Sequence, residues 1–293
     1  MRRLMVGIVT MHGKLWKMEE NFQRMEAYVR QATERGAQLV IAPENALDGY
    51  VAGADPNATE QAMNQIAQNV PDGPYIQRGR RLSKALGIYL IYGFIERVEN
   101  QLYNSCVLID PHGEVIARYS KINPLNERFI TPGHELRPFD TPFGRVGFLI
   151  CGDRGVLDNF RTLAVQGAQI IFIPMDGGFD PGNLALLQGR AADNDCYIVI
   201  ANTHGSGIVR CDGGIIHERY ESECVSVQRI ELTEFDASRQ RGHFRMRRPD
   251  LYGPLTQTIE PECHWDDAGQ PTPYEHEHRE KYRIERLTSG SVT

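Results

Sequence analysis

No CxxC pair occurs among the six cysteines of this sequence, so the usual zinc and thioredoxin-like patterns are excluded. No apolar run approaches the length of a membrane span. The first apolar stretch, residues 4–10, is too short for a signal-peptide core and lacks a cleavage pattern. A cytoplasmic location is therefore expected, with no membrane partner. In that setting the triplet Asn57-Ala58-Thr59 carries no weight as a glycosylation acceptor. An excess of positive charge is also missing. The formal net charge of -6 argues against a nucleic-acid partner. Sequence repeats are absent as well.

What is present is a chain of 293 residues, 41% hydrophobic and 24% charged, which is ordinary for a globular protein. That length supports a substantial core without disulfides. Residues 4–10 read as a strand. Met18, Phe22, Met25, Val29 and Ala32 recur at steps of four and three, one face of an amphipathic helix ending near Gly36. A second apolar run, residues 38–42, completes a βαβ unit and is closed by Pro43-Glu44-Asn45. Residues 45–73 read as a long loop with a short helix near 60–68, and 75–86 as a helix. Strands at 88–95, 102–109 and 115–119 follow in succession, joined by short turns, which indicates antiparallel pairing.

The second half repeats this order. Residues 146–150 are mostly apolar and read as a buried strand, with Cys151 where it should end and Gly152-Asp153 as a turn. A helix at 158–166, a strand at 169–173 stopped by Pro174, a helix at 183–193 and a strand at 197–201 come next. Shorter paired strands are expected at 208–210, 214–218 and 224–232. Cys106, Cys196 and Cys224 fall in apolar or alternating stretches and read as packed thiols. Gly205-Ser206-Gly207 is not a nucleophile elbow and reads as a turn. The pattern implies an α/β fold with two mixed sheets packed face to face and helices outside.

Three polar residues stand at predicted strand ends: Glu44, Lys121 and Cys151. Beyond the carboxyl ends of strands is where open α/β sheets form their sites. Pro43-Glu44, Tyr119-Ser120-Lys121 and Leu149-Ile150-Cys151-Gly152-Asp153 resemble the nitrilase superfamily of carbon–nitrogen hydrolases. So do Leu102-Tyr103-Asn104-Ser105, Asp110-Pro111-His112-Gly113, Asn126-Glu127-Arg128-Phe129 with Thr131-Pro132-Gly133, and residues 197–202. The resemblance spans roughly residues 5–248 and keeps the family's order. It implies a four-layer αββα sandwich over 1–263, and a Glu–Lys–Cys triad. By position Glu44 is the general base, Lys121 the oxyanion-stabilising cation and Cys151 the nucleophile. Glu127 matches a second glutamate beside the triad.

The chemistry fits those roles. A free thiol titrates near ~8.5, so attack on an amide carbonyl needs an activating neighbour. Lys121 and the Gly152 N–H can bind the oxyanion. The family commonly places Pro-Glu shortly after the nucleophile, and here Leu157-Asp158 stands instead, although Arg161 matches a later arginine. Gly152-Asp153 favours an amidase or N-carbamoyl hydrolase over a nitrilase. A nitrile hydrolase, an acyl transferase using the same thioester and a non-catalytic scaffold are the alternatives. The substrate is expected to be a small amide-type molecule, with no cofactor and no metal. Asp176, ahead of Gly177-Gly178, reads either as a turn aspartate or as an unpaired acid that receives a cationic or hydrogen-bond-donating part of the substrate.

From Phe235 the character changes. Arg239, Arg241, Arg245, Arg247 and Arg248 crowd one stretch, which reads as a solvated face or a subunit contact. With the resemblance, this makes a homodimer or higher homo-oligomer the expectation. Residues 264–293 are polar and read as an extended arm or tail. His276 and His278 have ligand-like spacing but no partner cluster nearby.

Overall fold

The computed structural model describes residues 3–232 and 246–257, with the backbone of 264–265 and 271–272. The chain divides into one unit over Met1–Arg245 and a second over Met246–Thr293. In the first unit, one six-stranded sheet has the order β12-β1-β2-β3-β4-β5. It comprises β1 (Arg3–Thr10), β2 (Leu39–Ile41), β3 (Tyr89–Val98), β4 (Gln101–Ile109), β5 (Val115–Ser120) and β12 (Cys224–Glu231). The other, in the order β11-β10-β9-β8-β7-β6, comprises β6 (Phe139–Thr141), β7 (Gly144–Phe148), β8 (Ile170–Met175), β9 (Tyr197–Asn202), β10 (Ser206–Val209) and β11 (Ile215–Arg219). Both are mixed: β1, β2 and β3 are parallel neighbours, as are β7, β8 and β9, and the flanking pairs are antiparallel.

Strand alternation produces the layers. Val6, Ile8, Leu39, Ile41, Ile91 and Leu108 point one way, and meet Val146, Phe148, Ile170, Phe172 and Val199 from the other sheet in a shared core. The intervening residues Val9, Val40, Leu90, Tyr92 and Phe94 face the helices α1 (Met18–Glu34) and α4 (Pro74–Leu86). Ile171, Ile173, Ile198 and Ile200 do the same under α5 (Leu157–Val165) and α6 (Pro181–Asn194). The result is the αββα sandwich. In α1 the buried face is Met18, Phe22, Met25, Val29 and Ala32, the set that the spacing marks. Two further short helices, α2 (Val51–Ala54) and α3 (Glu60–Ile66), lie in the loop after β2.

Five features differ from the sequence reading, one being that Ser206 and Gly207 open the strand β10 and pair on both sides instead of forming a turn. β7 stops at Phe148, and Cys151 opens a 3-10 turn over Cys151–Gly155 instead of ending the strand. Pro174 does not stop β8 but pairs with Ala201 inside it. The Phe172 carbonyl accepts from Leu149 N at 3.1 Å, so its peptide groups face β7. Two residues on, Pro174 faces the same side, where β7 has already ended, and its missing N–H breaks no ladder bond. β12 leaves its sequence neighbours and returns to the first sheet beside β1. The short β6 and α2 had no counterpart in the sequence pattern.

In the second unit, short 3-10 turns occupy Pro249–Leu251 and Gly253–Thr256. Arg248 pairs with Asp250, and Arg247 lies over the Tyr252 ring. The rest of the arginine run (Arg239, Arg241, Arg245), together with Cys263, His276 and His278, lies outside the described residues. No helix among the described residues is long and apolar enough to cross a membrane.

Candidate active site

Glu44 sits in the turn after β2, and that turn lies flat against β3. Ala42 N donates to the Ile91 carbonyl at 2.8 Å and Leu47 N to the Gly93 carbonyl at 3.3 Å. Such contact requires glycine at 93, because a Cβ there would fall 2.5 Å from Asn45 N and 3.0 Å from Glu44 Cα. Asp48 clamps the far end of the turn, accepting from Tyr50 N at 3.1 Å and from Ile95 N at 3.1 Å. Burial pushes its carboxyl up to about 7 against the pull of those N–H groups.

Lys121 follows β5 directly. Its N–H donates to the Asn104 carbonyl at 2.8 Å and its own carbonyl accepts from Gly133 N at 2.7 Å. The side chain is 2% exposed and ends between two buried carboxylates. Nζ donates to Glu44 Oε1 at 2.7 Å and also to Glu127 Oε1. Asn104 joins the same two acids, its Nδ2 donating to Glu44 Oε1 at 2.7 Å and Glu127 Oε2 at 2.9 Å. Burial works to strip the proton from Lys121, but the charges of Glu44 and Glu127 outweigh it and hold the ammonium. Burial and the neighbouring Glu44 raise the Glu127 carboxyl above the usual range, opposed by Lys121. Two acids thus share one ammonium on this side of the site.

Cys151 is held by Asp153. The backbone at Cys151 has φ +45°, a left-handed conformation uncommon outside glycine. Asp153 Oδ2 accepts from Ile150 N at 2.9 Å and from the Tyr119 hydroxyl at 2.7 Å, and Oδ1 accepts from Asn123 N at 2.8 Å. One carboxylate thus fixes the nucleophile turn to the chain on both sides of Lys121. Burial drives Asp153 up to about 6 despite these donors. Cys151 is half-buried, and its Sγ donates to the Asp176 carbonyl at 3.3 Å. The N–H of the same Asp176 donates to Glu44 Oε2 at 2.9 Å. Burial and then the Glu44 charge push the thiol up to about 12, while Lys121 and Arg154 act the other way. The sulfur therefore carries its proton at neutral pH.

Glu44, Lys121 and Glu127 are thus brought into one hydrogen-bonded cluster, and Cys151 is joined to it through Asp176. Glu44, Lys121 and Asn104 belong to the first sheet or the chain leaving it, Cys151 and Asp176 to the second. The site lies in the seam between them, beyond the strand ends. Gly152 is beside Lys121: a Cβ on it would be 3.8 Å from Lys121 Cε. Asp176 is present through its backbone, and its carboxylate is not the unpaired acid the sequence offered. Oδ1 accepts from Thr203 Oγ1 at 2.7 Å and from Gly177 N at 2.6 Å, the arrangement of a turn aspartate. Thr203 is distant in sequence, which hid the pairing. Asn104 and Arg154 were not singled out from the sequence. Asn104 is a fully buried polar residue in a strand, and its signal in the sequence was the motif Leu102-Tyr103-Asn104-Ser105 that carries the resemblance.

The family model for carbon-nitrogen hydrolases matches residues 5–239. A Pseudomonas protegens protein described as a hydrolase in the pqqF 5' region is 30% identical over 276 residues, covering 86% of this chain and 94% of its own. The omega-amidase of Homo sapiens is 29% identical, over 80% of this chain and 91% of the human one. The N-carbamoylputrescine amidase of Arabidopsis thaliana is 29% identical, over 79% and 88%. Among solved structures, a carbon-nitrogen hydrolase from Helicobacter pylori matches with a TM-score of 0.76 at 19% identity, over 88% of this chain and 99% of that one. This last likeness concerns the fold.

Proposed function

Since the chain belongs to the carbon-nitrogen hydrolase family, we propose that it hydrolyses a small amide or N-carbamoyl compound through a thioester on Cys151 and releases ammonia. The observation that carries this reading is the double use of Asp176: its carbonyl takes the Cys151 thiol and its N–H takes the Glu44 carboxylate. Nucleophile and base are thereby neighbours across one residue. Relatives named as omega-amidase and N-carbamoylputrescine amidase support the amide side.

The steps follow from the protonation states. The thiol is protonated and the amide carbonyl is a weak electrophile, so a base must remove the proton as sulfur attacks. Glu44 takes that proton. The new C–S bond moves the carbonyl electron pair onto oxygen, where Lys121 and the Gly152 N–H stabilise it. Removing one such donor typically costs ~10²–10³ in rate. Glu44 then gives its proton to the nitrogen, the C–N bond breaks and ammonia leaves. Water attacks the thioester, Glu44 accepts its proton, and the proton returns to sulfur as the C–S bond breaks. Glu127 and Asn104 keep Lys121 and Glu44 in place throughout.

The test is ammonia release measured over amides, carbamoyl-amines and nitriles, with Cys151→Ala as control. Release from amides or carbamoyl-amines that vanishes in the alanine variant supports the reading. Turnover confined to nitriles reassigns the chain to nitrile hydrolysis, and full activity in Cys151→Ala refutes the thioester.

A further inference from the structure

A cavity of about 140 Å³ lies at the edge of the first sheet, apart from the Cys151 cluster. It forms where β5 ends the sheet and residues 133–139 run past on the way to β6. Val98, Tyr103 and Phe139 supply apolar wall, and Arg118, Ser120, His134 and Arg137 supply polar wall. Both arginines are held in advance. Arg118 Nη1 donates to Glu96 Oε1 at 3.1 Å, and Glu96 is fully buried. Arg137 lies over the Phe139 ring at 4.5 Å, and its Nε donates to Glu135 at the surface. Among the described residues, each guanidinium thus gives one of its donors to protein and keeps the rest. A guanidinium accepts nothing, so this wall presents donors in excess.

We propose that this cavity is a second ligand site, which takes a small carboxylate with an apolar or aromatic body and alters turnover through Lys121. An ionised carboxylate only accepts, and it pairs with a guanidinium through two parallel bonds. The size suits a single ring, since an apolar cavity of ~150 Å³ holds benzene. Arg118 and Arg137 take the acid end, and Val98, Tyr103 and Phe139 take the ring. The two polar walls meet on the backbone of Lys121. Ser120 precedes it directly. Gly133 N donates to the Lys121 carbonyl at 2.7 Å, and a Cβ on Gly133 would fall 2.2 Å from the Ser120 carbonyl oxygen. Tyr119 also lines the cavity, and its hydroxyl donates to Asp153, which holds the Cys151 turn. A ligand that bridges Arg118 and Arg137 therefore bears on the chain that carries the lysine. A shift of about 1 Å at a reacting group can cost ~10²-fold in rate, so a smaller one is visible in kcat. The effect on turnover rests on the hydrolase reading, and the binding does not.

The experiment titrates benzoate into the full chain by calorimetry. Benzyl alcohol and inorganic phosphate, each carrying half of its features, should bind about tenfold more weakly or worse. Arg137→Gln removes a charge and Val98→Phe fills the space, and neither residue belongs to the Cys151 cluster. Each variant should weaken benzoate by about tenfold or more. With a neutral amide as substrate, saturating benzoate should change kcat by about twofold or more at unaltered KM. Both variants should lose that response and keep the basal kcat. No binding of benzoate, or equal binding of phosphate or benzyl alcohol, overturns the proposal. So does benzoate that raises KM alone and does so equally in Arg137→Gln, because it then sits at the Cys151 centre. Binding that leaves kcat unchanged overturns the coupling to Lys121. If no amide releases ammonia, the hydrolase reading and the kcat effect fail together, and calorimetry still decides the site.

Discussion

The hydroxyl of Tyr119 donates to Asp153 Oδ2 at 2.7 Å, tying the strand that delivers Lys121 to the turn that delivers Cys151. Tyr119 lies in the core between the sheets and Asp153 is fully buried, so this bond is made away from water. It explains how two residues from different sheets keep one relative position.

Asp153 should make stability depend on pH in a direction unusual for an acid. Its unfolded-state value is 3.8 and its folded value about 6, so the folded state holds the proton more tightly. Its contribution is therefore greatest below about pH 4, falls as pH rises to about 6, and is level above. Asp153→Asn cannot follow this slope, and it turns an amide N–H toward Asn123 N, costing about 1–3 kcal/mol. Denaturant melts should show the gap between wild type and variant narrowing from pH 4 to pH 7. A gap that widens with pH contradicts the assignment.

Asn104 should act as a positioning residue for both acids. Asn104→Ala removes two charge-assisted bonds, each worth roughly 1.5–3 kcal/mol. The Glu127 carboxyl loses a group that favours its ionised form, so the acidic limb of the pH–rate profile should move upward. A fall of about 10²-fold in kcat, with KM little altered, is expected. If the profile keeps its acidic limb, Asn104 is structural only.

Glu44→Gln should separate thiol acidity from turnover. The Glu44 charge raises the Cys151 thiol, with Lys121 and Arg154 acting oppositely. Neutralising it should bring the thiolate absorbance midpoint down from about 12, while ammonia release from an amide falls by about 10³-fold or more. An unchanged midpoint would mean that Glu44 does not face the sulfur electrostatically.

Gly93→Ala tests the turn from behind. Its Cβ meets backbone atoms of Glu44 and Asn45, which cannot rotate away. Overpacking of this kind costs about 1–3 kcal/mol, and the displaced carboxylate should lower kcat by about ten- to hundredfold. A variant with wild-type kcat and a lowered Tm would show that the turn tolerates the shift.

Much of this was legible in the chain because apolar runs mark strands and polar residues at their ends mark sites. Glu44 and Lys121 follow from that rule, and α1 follows from its four-and-three spacing. Cys151 was displaced by two residues because Leu149 and Ile150 are apolar enough to continue a strand that has left its ladder. Pro174 misled because the cost of a missing N–H depends on the strand beside it, which local sequence does not contain. The same holds for β12, whose partner β1 lies at the other end of the chain. Asp176 looked unpaired since its partner Thr203 comes from another strand end.

Phe148 and Phe172 stack at 6.0 Å between their ring centroids in the layer separating the sheets. Since acid and thiol arrive from opposite sides of that layer, its side chains act as a spacer that gauges the reach of proton transfer. A misplacement of about 1 Å between reacting groups can cost ~10²-fold in rate. Residues that never touch a substrate thus share the tolerance of those that do, and the filling of this core is dimensioned by the chemistry at its rim as much as by the need to exclude water.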